Sequence, residues 1–204
     1  MAEGSKKITP RLEFGTSLIS KDMKDGILIV QNVIGGDYAV ALGRELRDIV
    51  RERGQAPLKV IIFSGGGGVY AAFHVYDMLR SYADNYGKVT TVACGMVASA
   101  AAGIVLQAGD ERQATPNTRL MLHEVASWYT HDTAIATSQH DDAAAEMKVL
   151  QGMMCDLLGQ RSNHDTEYWQ NVIKRTEAWY SADQALEHGI SDTITREDTG
   201  ILAQ

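Results

Sequence analysis

Lys59-Val60-Ile61-Ile62-Phe63-Ser64-Gly65-Gly66-Gly67-Gly68-Val69-Tyr70 is the stretch on which the fold turns. Four apolar residues in succession, Val60–Phe63, suit a strand in a sheet covered on both faces. After the glycines the pattern becomes helical, from Val69 to about Tyr82. Four consecutive glycines carry a high cost in chain entropy, so bare backbone must be needed there. Two uses are open: a tight strand–helix turn, or close approach of a ligand to N–H groups aimed at an oxyanion or phosphate. The nucleotide version fails, because no Gly-Lys-Ser/Thr follows Gly65–Gly68 and no GxGxxG is present.

Working outward, the same alternation recurs. Ile27–Val30 reads as a buried strand, and Tyr38–Arg53, with apolar residues at Val40, Leu42, Leu46 and Val50, reads as an amphipathic helix closed by Gly54 and Pro57. Downstream, Val89–Ala93 predicts a strand running into Gly95–Gly103, a turn followed by a tightly packed helix of small residues. Arg119–Leu122 predicts another strand. Thr137–Leu158 predicts a long helix, and Trp169–Lys174 and Asp183–His188 predict short ones. Strands alternating with helices argue for an α/β domain of right-handed crossovers. The expected organisation is a flexible arm over 1–15, one domain over 16–196 and a polar tail over 197–204.

The chain has 204 residues, 45% hydrophobic and 22% charged, which is ample for one core. Its formal net charge of −7 gives no electrostatic reason to expect nucleic acid as a partner. No apolar run follows the polar Met1–Pro10, and no stretch approaches the roughly 18 apolar residues of a membrane span, so a soluble cytoplasmic protein is expected. Cys94 and Cys155 have no paired spacing and read as buried thiols.

Two further positions carry chemistry. In Gly95-Met96-Val97-Ala98-Ser99-Ala100-Ala101-Ala102-Gly103 a single hydroxyl sits among small residues, just after a strand and near a helix start. Its Oγ can be exposed there, and the N–H of Ala100 can meet an oxyanion. Alone, such a Ser is ordinarily packing or a cap. His123 closes the strand ending Met121-Leu122, and alone it reads as a structural histidine. A glycine turn, an isolated Ser and an isolated His, each at a strand end, are together the parts of an acyl-transfer site.

The ordered segments Ser64–Val69, Tyr76-Asp77-Met78, Gly95–Ala100, Pro116–His123 and Trp179–Asp192 resemble the proteolytic subunit of the Clp protease. The resemblance runs from about Ile27 to Ile194. It implies a ClpP/crotonase-type spiral of β-β-α units with a protruding long helix. It further implies Ser99 as nucleophile, His123 as general base, and the amides of Gly67 and Ala100 as the oxyanion hole. Gly68, Val69, Val125 and Ser127 would line the substrate. No cofactor and no metal are implied. The partners implied are a polypeptide substrate and further copies of the chain in stacked rings.

The family's Asp falls on Glu177, so the third catalytic position has two readings, an orienting acid or a solvated carboxylate. Glu177-Ala178-Trp179 also resembles phage-borne relatives, including ClpP-like prohead proteases. Gly65 stands for the family's Pro, Phe63 for its Asn, and Glu124–Thr130 lacks its Pro and glycines. Trp128 and Tyr129 are candidates for a substrate groove or a subunit contact. Lys59 and Ile61 occupy positions where the family shows aromatics that help dock an AAA+ unfoldase, so docking of a standard Clp ATPase is not expected.

The histidines of His131-Asp132 and His140-Asp141-Asp142 are nine apart, which is not metal-ligand spacing on a helix face. His164 and His188 read as surface residues, Asp77 and Asp192 as helix or turn carboxylates, and Met153-Met154 as an apolar helix face. Two rival functions stay open: a crotonase-like acyl-CoA hydratase or hydrolase, and a ring scaffold without chemistry.

Overall fold

The computed structural model describes residues 24–126 and 136–196. It is a mixed α/β structure built on a seven-stranded, mostly parallel sheet. β1 (Ile27–Ile34), β2 (Leu58–Gly67) and β3 (Val89–Ala98) pair in parallel, with α1 (Gly36–Arg53) and α2 (Val69–Asn85) as the connections. All three strands run longer than their apolar cores predict. β1 passes through a bulge at Asn32, whose φ is +64°. The glycines of β2 still pair, Gly66 with Val33 and Gly67 with Ile34, so three of the four glycines of the predicted turn are strand.

β3 then divides between two neighbours. Its first half, Thr90–Ala93, pairs with β4 (Glu111–Ala114), and its last residues, Met96–Ala98, pair with β5 (Arg119–His123). β6 (Glu177–Ser181) lies antiparallel to β5, and β7 (Thr193–Ile194) extends the sheet beyond β4. A π-helical turn, Ala101–Val105, and a 3-10 turn, Leu106–Ala108, lead from β3 to β4, and every residue in them is buried. Alanine and glycine allow that segment to sit between the sheet and α3 (Thr137–Arg161). At Gly103 an added Cβ would lie 2.8 Å from Met154 Sδ.

β4, β6 and β7 have no strand-like apolar run to announce them. In Glu111-Arg112-Gln113-Ala114 the inward residues are Ala114 and an arginine. Arg112 is 5% exposed and fully engaged. Its backbone N–H and Nε donate to Asp192 Oδ2 at 2.7 and 3.1 Å, and Nη1 donates to Gln107 Oε1 and Gly189 O at 2.7 and 3.0 Å. Nη2 completes the pair on Asp192 Oδ1. Asp192 is therefore the partner of a buried cation, not an ordinary turn carboxylate.

α4 (Thr166–Val172) starts three residues earlier than its apolar pattern suggests, because Asp165 caps it by accepting from the Tyr168 N–H at 2.8 Å. α5 (Ala182–Glu187) begins at a capping box: Ser181 Oγ accepts from Gln184 N at 3.2 Å and Gln184 Oε1 from Ser181 N at 2.9 Å. His164 and His188 are not on the open surface. His164 Nε2 and His188 Nδ1 share a hydrogen bond of 2.8 Å, and the pair is packed among Tyr168, Trp169 and Tyr180. In that setting burial pushes the Tyr180 hydroxyl up to about 12, with Tyr168 adding to the effect.

Candidate active site

Ser99 follows the last residue of β3, and the division of that strand places it. Its N–H donates to Met121 O of β5 at 2.7 Å, and its carbonyl accepts from Ala102 N and Gly103 N at 3.1 and 2.9 Å. The chain turns from strand to helix within one residue. Ser99 accordingly has φ +56°, a left-handed conformation that costs a non-glycine residue about 1 kcal/mol or more. The turn aims its hydroxyl away from the sheet towards the end of β5. There His123 Nε2 lies 2.8 Å from Ser99 Oγ.

The glycine segment covers the other side of the serine. Gly66 has φ +94°, and an added Cβ would stand 2.7 Å from Ala98 O and 2.8 Å from Ser99 Cβ. At Gly67, φ is +153° and the same atom would overlap the Ile34 backbone at 2.4 Å. These glycines exist because two backbones and a serine meet there. Ser64, which residue reading passes over, holds the segment. Its buried hydroxyl donates to Asn32 O at 2.5 Å, and Gly66 N–H donates back to it at 3.1 Å. Gly68 N–H is taken by Ile34 O at 2.9 Å.

Between these elements lies a cavity of about 540 Å³. Ser99, Ala100, His123, Gly65, Gly66, Gly67, Gly68, Val69 and Val125 all line it, together with Val33, which carries no signal in the sequence, and Met154 from the apolar face of α3. The Val125 N–H donates to Gln151 Oε1 of α3 at 3.2 Å. Ser127, Trp128, Tyr129 and the His131-Asp132 pair lie outside the described residues. A second cavity of about 490 Å³ sits between α1 and α2 and is lined by Leu46, Met78 and Tyr82. None of the site's residues reaches it.

The third position is different. β5 and β6 pair in a register that sets Glu177 directly across from His123. The carboxylate nevertheless turns along its own strand, where Oε2 accepts from Trp179 Nε1 at 3.1 Å. Among the described residues no hydrogen bond reaches His123 Nδ1. The constellation is thus a Ser–His pair with an acid beside it and not on it.

Other nucleophiles do not compete. Burial pushes the Cys155 thiol up to about 11, with Asp156 contributing, and burial also raises Cys94. A thiol so shifted is not a thiolate near neutrality. Among the described residues no group of three His, Cys, Asp or Glu could hold a metal ion, and no helix is long and apolar enough to cross a membrane.

A profile of the Clp protease family matches residues 13–198. The chain belongs to the Clp protease family. It is 28% identical over 192 residues to ATP-dependent Clp protease proteolytic subunit 1 of Salinibacter ruber, covering 93% of this chain and 78% of that one. It is 26% identical over 197 residues to the ATP-dependent Clp protease proteolytic subunit of Deinococcus radiodurans, covering 94% and 92%. Family membership and the sheet agree: three of the segments that resemble the Clp family, Ser64–Val69, Gly95–Ala100 and Pro116–His123, contribute residues to one cavity, at the point where β3 changes partners.

Proposed function

We propose that the protein is a serine endopeptidase that cleaves unfolded polypeptides or peptides through an acyl-enzyme. The observation that carries this reading is the 2.8 Å approach of His123 Nε2 to Ser99 Oγ at a strained strand–helix turn. Strain of this kind, held by surrounding structure, is characteristic of nucleophile turns. Nε2 takes the Oγ proton as the oxygen attacks the scissile carbonyl. The amides of Gly67 and Ala100 receive the oxyanion of the tetrahedral intermediate. The imidazolium then passes its proton to the leaving amine, which departs as the C–N bond breaks. Water repeats the sequence and releases the acid. Gly68, Val69 and Val125 form the wall against which an extended substrate lies; Ser127 is assigned to substrate binding by the family resemblance alone. Glu177 is the acid that balances the imidazolium, from across the strand pair.

The two relatives are named as proteolytic subunits of ATP-dependent proteases, which supports a place in a multi-subunit assembly; a crotonase-type subunit fold, homo-oligomeric rings that enclose the sites and a cytoplasmic location are carried over from the family resemblance. Lys59 and Ile61 argue against a standard Clp ATPase as partner: Ile61 is 2% exposed, so it cannot reach one. That departure, with Glu177-Ala178-Trp179, favours a phage-type processing role over housekeeping.

The test is intact-mass spectrometry after treatment with a fluorophosphonate, comparing wild type with Ser99→Ala. A single adduct on wild type alone is expected, and Ser99→Ala should be inert towards peptides. A folded, assembled wild type without adduct would overturn the reading. It would favour the scaffold alternative, for which the parked Glu177 carboxylate is the supporting observation, or a hydratase, which needs no activated serine.

A further inference from the structure

The register of β5 and β6 puts Arg119, Met121 and His123 on one face of β5, with Glu177 and Trp179 on the same face of β6. Directly opposed residues of antiparallel strands have Cβ atoms about 5 Å apart. The Glu177 carboxylate can therefore reach the His123 imidazole by side-chain rotation alone, with no backbone shift. It rests instead on the Trp179 indole N–H at 3.1 Å. The indole is itself steadied: Met121 lies opposite it, and the Arg119 guanidinium carbon is 6.0 Å from its ring centroid, at the edge of cation–π range. One carboxylate thus has two donors within reach, and the observed arrangement satisfies the wrong one for catalysis.

We propose that Trp179 is a positioning residue that holds Glu177 off His123 in the resting site, so that the carboxylate passes to the imidazole only as the latter becomes charged. This rests on the reading of Ser99 and His123 as the reacting pair. A neutral imidazole N–H and an indole N–H are comparable donors. An imidazolium is a far better partner for a carboxylate, since hydrogen bonds between ionised groups are roughly twice as strong as neutral ones. Proton transfer from Ser99 therefore drives the transfer of Glu177. An acid that must move during the step is worse than one already in place, because preorganisation is what makes electrostatic stabilisation effective. Trp179 in this way lowers the basal rate of the enzyme. The glutamate's extra methylene, which an aspartate lacks, is what lets one backbone position serve both donors.

The experiment compares hydrolysis of a chromogenic peptide by wild type, Trp179→Phe, Glu177→Gln and the double variant. Phenylalanine keeps an aromatic face beside Arg119 and removes the donor. Trp179→Phe is expected to raise kcat about tenfold or more, the population shift that losing one hydrogen bond to a charged group produces, with KM within twofold. Adding Glu177→Gln should abolish the gain. An unchanged or lowered kcat in Trp179→Phe, or a gain that survives Glu177→Gln, overturns the proposal. A second readout needs no variant at position 179. The indole N–H resonance of Trp179 should shift when a fluorophosphonate occupies Ser99, towards its position in Glu177→Gln, and a resonance unmoved by the adduct also overturns it. Absence of any adduct on wild type would instead overturn the peptidase reading itself.

Discussion

At the scale of single residues, the site depends on places where backbone conformation and side-chain identity constrain one another. Gly66 and Gly65 are adjacent glycines with opposite requirements. An alanine at 66 would need φ +94° and would press on Ala98 O and Ser99 Cβ, whereas a Cβ at 65 meets only Met96 Cε at 3.6 Å. Gly66→Ala is therefore expected to lower kcat/KM at least 100-fold and stability by about 2 kcal/mol. Gly65→Ala should change neither appreciably, as peptide assays and urea titrations of both variants would show. Equal effects would mean that the run is only a flexible turn. Ser99 and His123 were legible as a pair because each is an isolated polar residue at the end of an apolar strand. The side chain of Glu177 was not legible. Its position follows from strand register, but its choice between Trp179 and His123 is a rotamer decided by donors on two strands.

At the scale of elements, β3 is the strand that makes the site, because it gives its first half to β4 and its end to β5. Its apolar core was readable, but its division was not, since partner exchange leaves no mark on hydrophobic period. β4 escaped notice for a related reason: its central inward residue is Arg112, which is tolerated there only because Asp192, Gln107 and Gly189 satisfy it. Burial alone would raise the Asp192 carboxyl, but the hydrogen bonds and charge of Arg112 outweigh it and hold the group below its ordinary range. A carboxyl depressed in the folded state stabilises the fold above its unfolded value, near 3.9, and loses that contribution as pH falls through the folded value. The stability difference between wild type and Asp192→Asn should thus be full at pH 6 and shrink below about pH 4. Thermal melts across that range test it, and a difference independent of pH would remove the pair from the stability of this edge. Arg112→Met should cost less than Arg112→Ala, because the methionine fills the buried space while both leave Asp192 unpaired.

At the scale of the whole molecule, α3 carries the argument. Over residues 138–149 none of its side chains is buried, while from Leu150 onwards Met154, Cys155, Leu157 and Leu158 pack into the core. Three turns of helix held only by partly buried side chains and the hydrogen bond from Tyr70 to Glu146 are marginal in water. Val149 and Met153, 57% and 46% exposed and one turn apart, give this region an apolar stripe that none of the described residues covers. On the proposed ring assembly, that stripe meets another copy. The wild type should then run as a large oligomer by light scattering at micromolar concentration. Val149→Glu with Met153→Glu should shift it to smaller species that keep the circular dichroism of the fold. If the double variant stays assembled, the contact lies elsewhere on the surface. If the wild type is itself a monomer, an exposed serine peptidase would have no chamber to restrain it. The parked acid at Trp179 would then be the main brake on its activity.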